Sequence, residues 1–504
     1  MNAPLDWILP LVPEEIVIVS ALAALLVDFV FVRQKTLAMR AAVVGGTACL
    51  GCVAAMIWIA FSPGGPDVEM LSLSPLTQLL KIVLLGMTLV VAVLSFGARF
   101  SRHIGEYFAL LLIATAGLML LISSENLLVI FLALEMLSLP VYVLTAFNKA
   151  SATSAEAALK YFLFGSVAAA FTLFGISLLY GLTGGLELGS LATTLAEKLQ
   201  TPPLEPVYCV ALLMTLAGFA FKVAAVPFHF WAPDVYEGAP APVACFIASA
   251  SKVGSFFVLA RILVEGFGPF HGSAGWKAFE AGWLPVLAVL AVLSIVIGNV
   301  AALVQTRVKR LLAYSAIAHA GYALLAFYGN PRQMLPALCF YVITYALTVL
   351  GAFAVVAAVE NGGGRDRLSD WAGLGRRAPL LSACMFVFML SLAGVPPLAG
   401  FFGKFYLFTA ALGGSTADGK PDLAMLWLVV VAVVASAVSF YYYLQVLKQI
   451  YTVEPPEDCQ PFCQPWAALL SIALLAALVI AFGCAPGLLL GKLPLVLKAA
   501  VIQL

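Results

Sequence analysis

The amino-acid composition excludes a soluble protein. The chain has 504 residues, 63% of them hydrophobic and only 10% charged, whereas soluble domains carry roughly 25% charged residues. Long apolar stretches recur over its whole length, which is typical of a polytopic membrane protein in a lipid bilayer. The formal net charge is +1 and no basic tract is present, so nothing indicates a nucleic-acid partner.

Fourteen apolar segments are near or above the roughly 20 residues that cross the hydrocarbon core. In chain order they are 13–32, 41–61, 74–97, 107–122, 124–147, 157–182, 207–230, 240–264, 283–304, 311–328, 334–358, 379–411, 424–450 and 466–489. We therefore expect an all-α polytopic membrane protein with about 14 transmembrane helices, forming a single membrane domain over 1–504. Its first three helices lie in 1–106 and its last helix in 451–504.

The basic residues of the loops predict the orientation. Loops on one side carry most of them, from Arg33 in the first loop to Lys448 at the end of the thirteenth span. The positive-inside rule assigns that side to the cytoplasm, so an even number of spans places both termini in the periplasm. The N-terminus lacks the basic segment of a cleavable signal peptide, and we expect its first helix to be retained. A bacterial inner membrane is favoured over a mitochondrial one.

Six basic residues fall inside the predicted spans. Lys81, Lys160 and Arg261 lie near span ends, where long side chains can extend to the membrane interface. The other three, Lys222, Lys252 and Lys404, lie deeper or beside a break. Extension of the side chain to the interface is a poor explanation for these three lysines. A buried cation in a membrane is costly and usually has a function.

A short motif links two of these lysines. GFAFK at 218–222 returns as GFFGK at 400–404, with Pro227 following the first copy and Pro396 and Pro397 preceding the second. Proline breaks a helix and frees backbone polar groups. The copies lie on the seventh and twelfth spans, so they run in opposite directions, as in transporters built from inverted repeats with broken helices. We place two five-helix inverted repeats at 107–264 and 283–450.

Glu135 is predicted to be the partner of Lys222. It is the one carboxylate placed deep in a predicted span, and a lone buried carboxylate is costly. A static ion pair that locks two helices is one explanation, although buried pairs stabilise weakly. Burial favours the neutral form of lysine and a nearby carboxylate restores the charged form, so Glu135, Lys222, Lys252 and Lys404 are together suited to proton transfer.

Two histidines extend this set. His229 and His319 could relay protons between the lysines, because imidazole both donates and accepts near neutral pH. A polar cap at a helix end is an alternative for His229. A haem between the two histidines is less favoured, because the second pair of a two-haem arrangement is missing. Cys49 and Cys52 lie within an apolar span and are read as small apolar residues rather than a metal or redox site.

Several long stretches resemble the antiporter-like membrane subunits of respiratory complex I, a family that also includes subunits of sodium/proton antiporters. They are 132–147, 154–166, 221–243, 249–257, 309–322 and 394–408. Within the family the chain is most similar to the subunit N branch. EAALKYF at 156–162 favours that branch, as does Lys404, where the subunit M branch carries glutamate. The chain also ends soon after its last span, without the long lateral helix of subunit L.

The resemblance implies a role for each candidate residue. Glu135 and Lys222 match the family's coupling pair, Lys252 the lysine that connects two half-channels, and Lys404 the lysine of the second half-channel. Lys160, His229 and His319 match positions in the polar axis.

The resemblance also implies the partners. The NADH site, flavin (FMN), iron–sulfur clusters and quinone cavity belong to other subunits, so no redox site, cofactor or metal is expected in this chain. The expected partners form a hetero-oligomer of neighbouring antiporter-like and small membrane subunits.

Three functions therefore stay open. The favoured one is proton translocation driven by NADH oxidation and quinone reduction in other subunits of a NADH:quinone oxidoreductase. The alternative is a subunit of a multi-subunit sodium/proton antiporter, which would have no redox partner. A scaffold that only holds its neighbours together is the third.

Overall fold

A computed structural model gives the structure of this protein and describes residues 9–62, 70–97, 101–199, 206–275, 278–364, 366–413, 425–455 and 465–493. These residues are almost entirely helical, which confirms the predicted all-α class. A two-stranded antiparallel hairpin, β1 (Ser273–Gly275) and β2 (Ala278–Glu280), is the sole sheet within those ranges.

The helices fall into consecutive groups along the chain. The N-terminal group is α1 (Leu9–Val32), α2 (Leu37–Phe61) and α3 (Pro75–Ser95). The first half of the remaining chain contains α4 (Ile104–Ser123), α5 (Leu127–Thr145), α6 (Ala152–Thr183), α7 (Leu188–Leu199), α8 (Pro206–Val223), α9 (Trp231–Gly238), α10 (Ala241–Ala248) and α11 (Ala250–Arg261). The second half contains α12 (Trp283–Leu303), α13 (Val308–Leu324), α14 (Pro331–Asn361), α15 (Leu374–Arg377), α16 (Pro379–Ala393), α17 (Ala399–Ala411) and α18 (Leu426–Tyr451). The chain then continues through α19 (Trp466–Cys484) and α20 (Gly487–Leu490).

Thirteen helical segments of the described ranges are long and apolar enough to cross a membrane. The remaining predicted span, 379–411, is divided into α16 and α17, each shorter than a membrane crossing. The chain is thus a multi-pass membrane protein, and the twelfth predicted span, 379–411, is a broken helix. Large apolar side chains exposed on the outer helices, such as Phe162 and Leu470, provide the surface that lipid or a partner requires.

Three predicted spans are interrupted. The first ends when α8 stops at Val223, and the chain turns before α9 begins at Trp231. The second changes direction at Ser249, between α10 and α11. The third is broken where Gly394 takes a left-handed conformation, φ 88°, at the end of α16, the usual way in which glycine terminates a helix. Each break leaves carbonyl groups without a partner in their own helix.

The two copies of the G-F-x-x-K motif lie on opposite sides of their breaks. Lys222 is in the last turn before the break that follows α8, whereas Lys404 lies on α17, after the break. The copies are therefore not at equivalent places in their helices. The inverted repeats at 107–264 and 283–450 stay a prediction.

The N-terminal helices contain a buried ion pair. Lys81 does not extend to the surface: its Nζ lies 2.7 Å from Oε1 of Glu14, and the side chains are 3% and 6% exposed. Arg261, also predicted to extend to the interface, is buried too and binds Glu125 at 2.6 Å. Removing one partner of a buried pair leaves an uncompensated charge, whereas replacing both partners with apolar residues is often tolerated.

We expect Lys81→Met to lower the free energy of unfolding by about 3–5 kcal/mol, because it leaves the Glu14 carboxylate unpaired. The double variant Glu14→Leu/Lys81→Met should recover most of that loss. Denaturant unfolding of the purified subunit in detergent measures both. Lys448→Met, at an exposed position of α18, is the control. A double variant no more stable than Lys81→Met would contradict the pairing.

Candidate functional site

Lys222 is bound by a hydroxyl group. Its Nζ donates a hydrogen bond to Oγ of Ser138 on α5, and Ser138 donates to the carbonyl oxygen of Leu134. The ammonium group also lies 5.8 Å from the centre of the Tyr142 ring, within the range of a cation–π contact. Lys222 is buried, so these neutral groups replace its water.

Glu135 does not contact Lys222. Among the ion pairs of the described residues, all within 4.0 Å, none joins these two side chains, so the predicted partners do not form a contact ion pair. The two charges nevertheless interact electrostatically. Glu135 and Ser138 are three residues apart on α5 and therefore neighbours on one face. The carboxylate is half-buried beside the hydroxyl that binds the lysine.

Lys252 and Lys404 bind the ends of broken helices. Nζ of Lys252 donates to the carbonyl oxygen of Val223, the last residue of α8, at 2.5 Å. Nζ of Lys404 donates to the carbonyls of Leu392 and Ala393 at the end of α16, at 3.0 and 3.1 Å. A helix C-terminus carries partial negative charge and unpaired carbonyl groups, so it stabilises a cation. Both lysines are buried.

A hydroxyl and a cavity complete the environment of Lys404. Its Nζ donates to Oγ of Ser436 on α18 at 2.8 Å and lies 5.2 Å from the centre of the Tyr322 ring. A cavity of about 470 Å³ reaches the lysine between α17 and α18, and its other walls are mainly apolar side chains such as Phe405 and Phe440.

His319 is surrounded by tyrosines. Its Nδ1 is 2.7 Å from the hydroxyl of Tyr341 and its Nε2 is 3.2 Å from the hydroxyl of Tyr443. The Tyr345 ring stacks on the imidazole at 4.7 Å. The hydroxyl of Tyr443 is in turn hydrogen-bonded to Oγ of Ser315, at 2.5 Å. His319 and Lys404 interact electrostatically, so the structure places this histidine beside the second-half lysine.

Lys160 lies apart from the buried lysines. Its side chain is 40% exposed and pairs with Glu156 and Asp234, both at 2.8 Å. Asp234 also binds Arg310. Burial acts to raise the pKa of Asp234, but the hydrogen bonds from Lys160 and Arg310 prevail and hold it below its usual value. His229 is buried in the turn after α8, and its Nδ1 has no partner among the described residues.

A polar cavity of about 530 Å³ lies beside this ion-pair cluster. It is lined by Asn148, Glu237, Arg307, Glu360 and Asp366 among others. These residues belong to four loops or helix ends, all of which the charge distribution predicts to lie on the cytoplasmic side. Burial raises the pKa of Asp366, although the nearby charges of Lys309 and Arg307 oppose this.

Sequence reasoning missed the neutral partners. Ser138 follows Glu135 by three residues, and a search for polar residues at helical spacing would have found it. Tyr341 and Tyr345, four residues apart on α14, carry the same signal. Ser436 had no local signal, because only the tertiary packing of α18 on α17 brings it to Lys404.

This arrangement suits proton transfer. The ammonium groups of Lys222, Lys252 and Lys404 are bound by hydroxyl and carbonyl oxygens, and the described residues place no carboxylate within ion-pair distance of them. A buried charge without an opposite charge is costly. Each lysine can therefore release its proton when a nearby charge changes, which a contact ion pair would resist.

The glycines of both G-F-x-x-K copies permit close approach of helices. A Cβ on Gly218 would lie 1.6 Å from Oγ1 of Thr172, and a Cβ on Gly400 would lie 1.8 Å from the carbonyl oxygen of Ser391. The first obstacle is a side chain and the second is backbone. Helix packing next to Lys222 and Lys404 thus requires glycine.

We expect Gly218→Ala and Gly400→Ala to lower the free energy of unfolding by about 1–3 kcal/mol or more, the usual cost of overpacking. Thr172→Ala should rescue Gly218→Ala, because it removes the clashing hydroxyl. Ser391→Ala should not rescue Gly400→Ala, because the clashing atom is a backbone oxygen. Denaturant midpoints of the four single and two double variants test this, and equal rescue in both pairs would refute it.

The sequence and the fold match known proteins. Residues 124–438 match the family described as NADH:quinone oxidoreductase/Mrp antiporter, transmembrane. The chain is 48% identical to NADH-quinone oxidoreductase subunit N 2 of Acidobacterium capsulatum, over 95% of this chain and 96% of that protein. It is 40% identical to NADH-quinone oxidoreductase subunit N of Desulfovibrio desulfuricans, over 89% and 88%.

Solved structures lead to the same family as the sequence comparisons. A chain of respiratory complex I from Thermus thermophilus with bound aureothin has 36% identity and a TM-score of 0.75, over 95% of this chain and 98% of that chain. A chain of the Mrp complex from Dietzia sp. has a TM-score of 0.78 over 98% and 97%, but only 22% identity, so it shows the fold alone. The chain belongs to the NADH:quinone oxidoreductase/Mrp antiporter family of membrane subunits, and within it to the NADH-quinone oxidoreductase subunit N group.

Proposed function

We propose that this chain translocates protons as a membrane subunit of a NADH:quinone oxidoreductase in a bacterial inner membrane. The observation that carries the proposal is the binding of buried lysines by neutral oxygens at the breaks of α8 and α16. A lysine that served only to fix the fold would be expected to carry a carboxylate partner, as Lys81 does. Identity of 48% to a subunit N relative supports the same function.

Glu135, Lys222, Lys252 and Lys404 carry the protons. A change of charge near Glu135 alters the protonation of Lys222, because the two groups interact electrostatically. The end of α8 links Lys222 to Lys252, since Lys252 binds the carbonyl of Val223, the residue that follows Lys222. His319 and its tyrosines continue the path toward Lys404 in the second half of the chain.

His229 and Lys160 have the less direct roles. His229 is buried with a free ring nitrogen after the break of α8, where it can accept a proton that enters from the cytoplasmic side. Lys160 lies in the ion-pair cluster with Asp234, at the edge of the same route.

Other subunits supply the driving reaction. NADH oxidation by flavin and iron–sulfur clusters, and quinone reduction, take place in partner chains, and we expect this chain to hold no cofactor or metal. Neighbouring antiporter-like and small membrane subunits cover its exposed apolar helices. The energy reaches this chain as a change of charge or position at the Glu135 end.

A sodium/proton antiporter subunit is the alternative. The fold is shared, since the Mrp chain has a TM-score of 0.78, but the sequence is much closer to subunit N, at 48% against 22% identity. The proteins that co-purify in mild detergent separate the two functions. A NADH:quinone oxidoreductase requires flavin and iron–sulfur subunits, whereas an antiporter requires neither.

We expect Lys252→Arg and Lys404→Arg to lower proton pumping by about tenfold or more in the assembled complex. Arginine keeps the positive charge and can bind the same carbonyl groups, but it does not deprotonate. A positioned proton-transfer group contributes about 10²–10⁴-fold. Fluorescence quenching of a pH-sensitive dye in membrane vesicles measures pumping during NADH oxidation.

Lys448→Arg, at an exposed position of α18, is the matched control. Each preparation is checked for flavin and iron–sulfur subunits, so that a loss of assembly is not counted as a loss of pumping. Full pumping by both arginine variants would favour a scaffold or a static cation role.

The proposed orientation has both termini in the periplasm. We expect alkaline phosphatase, which is active only outside the cytoplasm, to be active when fused at Gly272 and inactive when fused at Asn148. Four separate loops or helix ends meet at the cavity beside Asn148, which supports their location on one side. Activity at Asn148 alone would show that the orientation is the opposite one. Activity at both positions would refute the predicted number of helices between them.

A further inference from the structure

Two buried tyrosine hydroxyls have no role in the site described above. Tyr236 on α9 is fully buried and Tyr345 on α14 is 7% exposed. Neither hydroxyl has a hydrogen-bond partner among the described residues, although the phenol groups of the two tyrosines interact electrostatically with each other. A buried hydroxyl without a partner is destabilising, so a pair of them marks a place where a small polar molecule is needed.

These tyrosines lie between the polar cavity and His319. Residues four positions apart, namely Tyr341, Tyr345, Val349, Phe353 and Ala357, form a ridge that winds around α14 by about 40° per step. Ala357 lines the 530 Å³ cavity. At the other end of this ridge, Tyr341 binds His319 and Tyr345 stacks on it.

The middle of this ridge is apolar. Val349 and Phe353 are fully buried and contribute no polar atom between the cavity and the tyrosines. Tyr236 provides a hydroxyl group beside these apolar side chains. Its ring packs edge-on against Phe353 at 5.6 Å, and the next residue in the chain, Glu237, lines the cavity.

We propose that internal water bound between the hydroxyls of Tyr236 and Tyr345 forms a proton path from the cytoplasmic-side cavity to His319. The path rests on the proton translocation proposed above and adds an entrance to the second half of the chain, next to Val349 and Phe353. These two apolar side chains prevent a continuous water column, so protons pass only by way of the two hydroxyls.

The proton transfer leaves both tyrosines neutral. A protonated water on the cavity side gives a proton to the oxygen of Tyr236 while Tyr236 releases its own proton to the bound water. That water passes a proton to the oxygen of Tyr345 in the same way. Tyr345 releases its own proton through a further internal water to the hydroxyl of Tyr341, and Tyr341 gives its proton to Nδ1 of His319. One proton enters and one arrives, and rotation of the hydroxyls resets the path.

Tyr236→Phe and Tyr345→Phe each remove one oxygen atom and test the path in the intact complex. We expect each variant to slow proton pumping in membrane vesicles by about tenfold, at the lower end of what a positioned proton-transfer group contributes. The double variant should lose no more than either single variant, because the two groups act in series. The solvent deuterium isotope effect on pumping should rise in each single variant, which a purely structural role would not cause.

Tyr107→Phe is the matched control. Tyr107 is equally buried in α4, and its hydroxyl bonds to Oγ of Ser95 at 2.8 Å, away from the path. Native electrophoresis confirms assembly of each complex. A high-resolution cryo-electron microscopy map of the wild-type complex gives a second readout that does not depend on any variant, and it should show an ordered water within hydrogen-bond distance of both hydroxyls.

Lys404→Arg, assayed in parallel, separates this inference from the proposed function. If Lys404→Arg loses pumping while both tyrosine variants pump at the wild-type rate, the path is refuted and the proposed function stands. If all three variants pump at the wild-type rate, both are refuted. A map that resolves other internal waters but none between Tyr236 and Tyr345 also refutes the path.

Discussion

The buried lysines depend on the carbonyl groups that the helix breaks leave unpaired. In a continuous helix the backbone carbonyl groups accept hydrogen bonds from the helix itself, so they are not available to bind a cation. Where α8 ends at Val223 and α16 ends at Ala393, the freed oxygens bind Lys252 and Lys404. The breaks and the cations therefore stabilise each other, because each satisfies a group that would otherwise be buried without a partner.

Neutral partners also support the proposed proton transfer, because they hold each lysine without a contact ion pair that would fix its charge. The same chain contains a buried ion pair, Glu14 with Lys81, and a partly buried one, Glu125 with Arg261, so it does not lack carboxylates for the purpose. Those pairs lie in the N-terminal helices and at the end of α11, where a fixed charge serves packing. Along the row of Lys222, Lys252 and Lys404, hydroxyls and carbonyls take the place of carboxylates.

Hydropathy predicted nearly all of the fold, because every span must satisfy its backbone within the helix and present apolar side chains to lipid. The span 379–411 looked like one long helix, since hydropathy does not register the left-handed turn at Gly394. The repeated G-F-x-x-K motif predicted two special places but not their geometry. Its glycines mark close packing, while its lysines fall on opposite sides of their breaks.

Residue type and depth identified the lysines of the site, because a membrane makes any buried charge costly. The partners could not be found in this way: serine, tyrosine and carbonyl oxygens are common in helices, and only tertiary packing selects Ser138, Ser436 and Tyr341. Packing also decides that Ser138, and not Glu135, makes the direct contact with Lys222.

In the proposed function, the separation of Glu135 from Lys222 lets the two groups interact without contact. Two groups in contact share a proton and hold it, since breaking a buried pair exposes both charges to a low dielectric. With Ser138 binding the ammonium group, the carboxylate still acts on Lys222 through its field, and the strength of that action falls with distance. A small movement of α5 relative to α8 would then change the charge state of Lys222 without first breaking a bond. An electrostatic coupling of this kind transmits a signal from a partner subunit more readily than a locked ion pair.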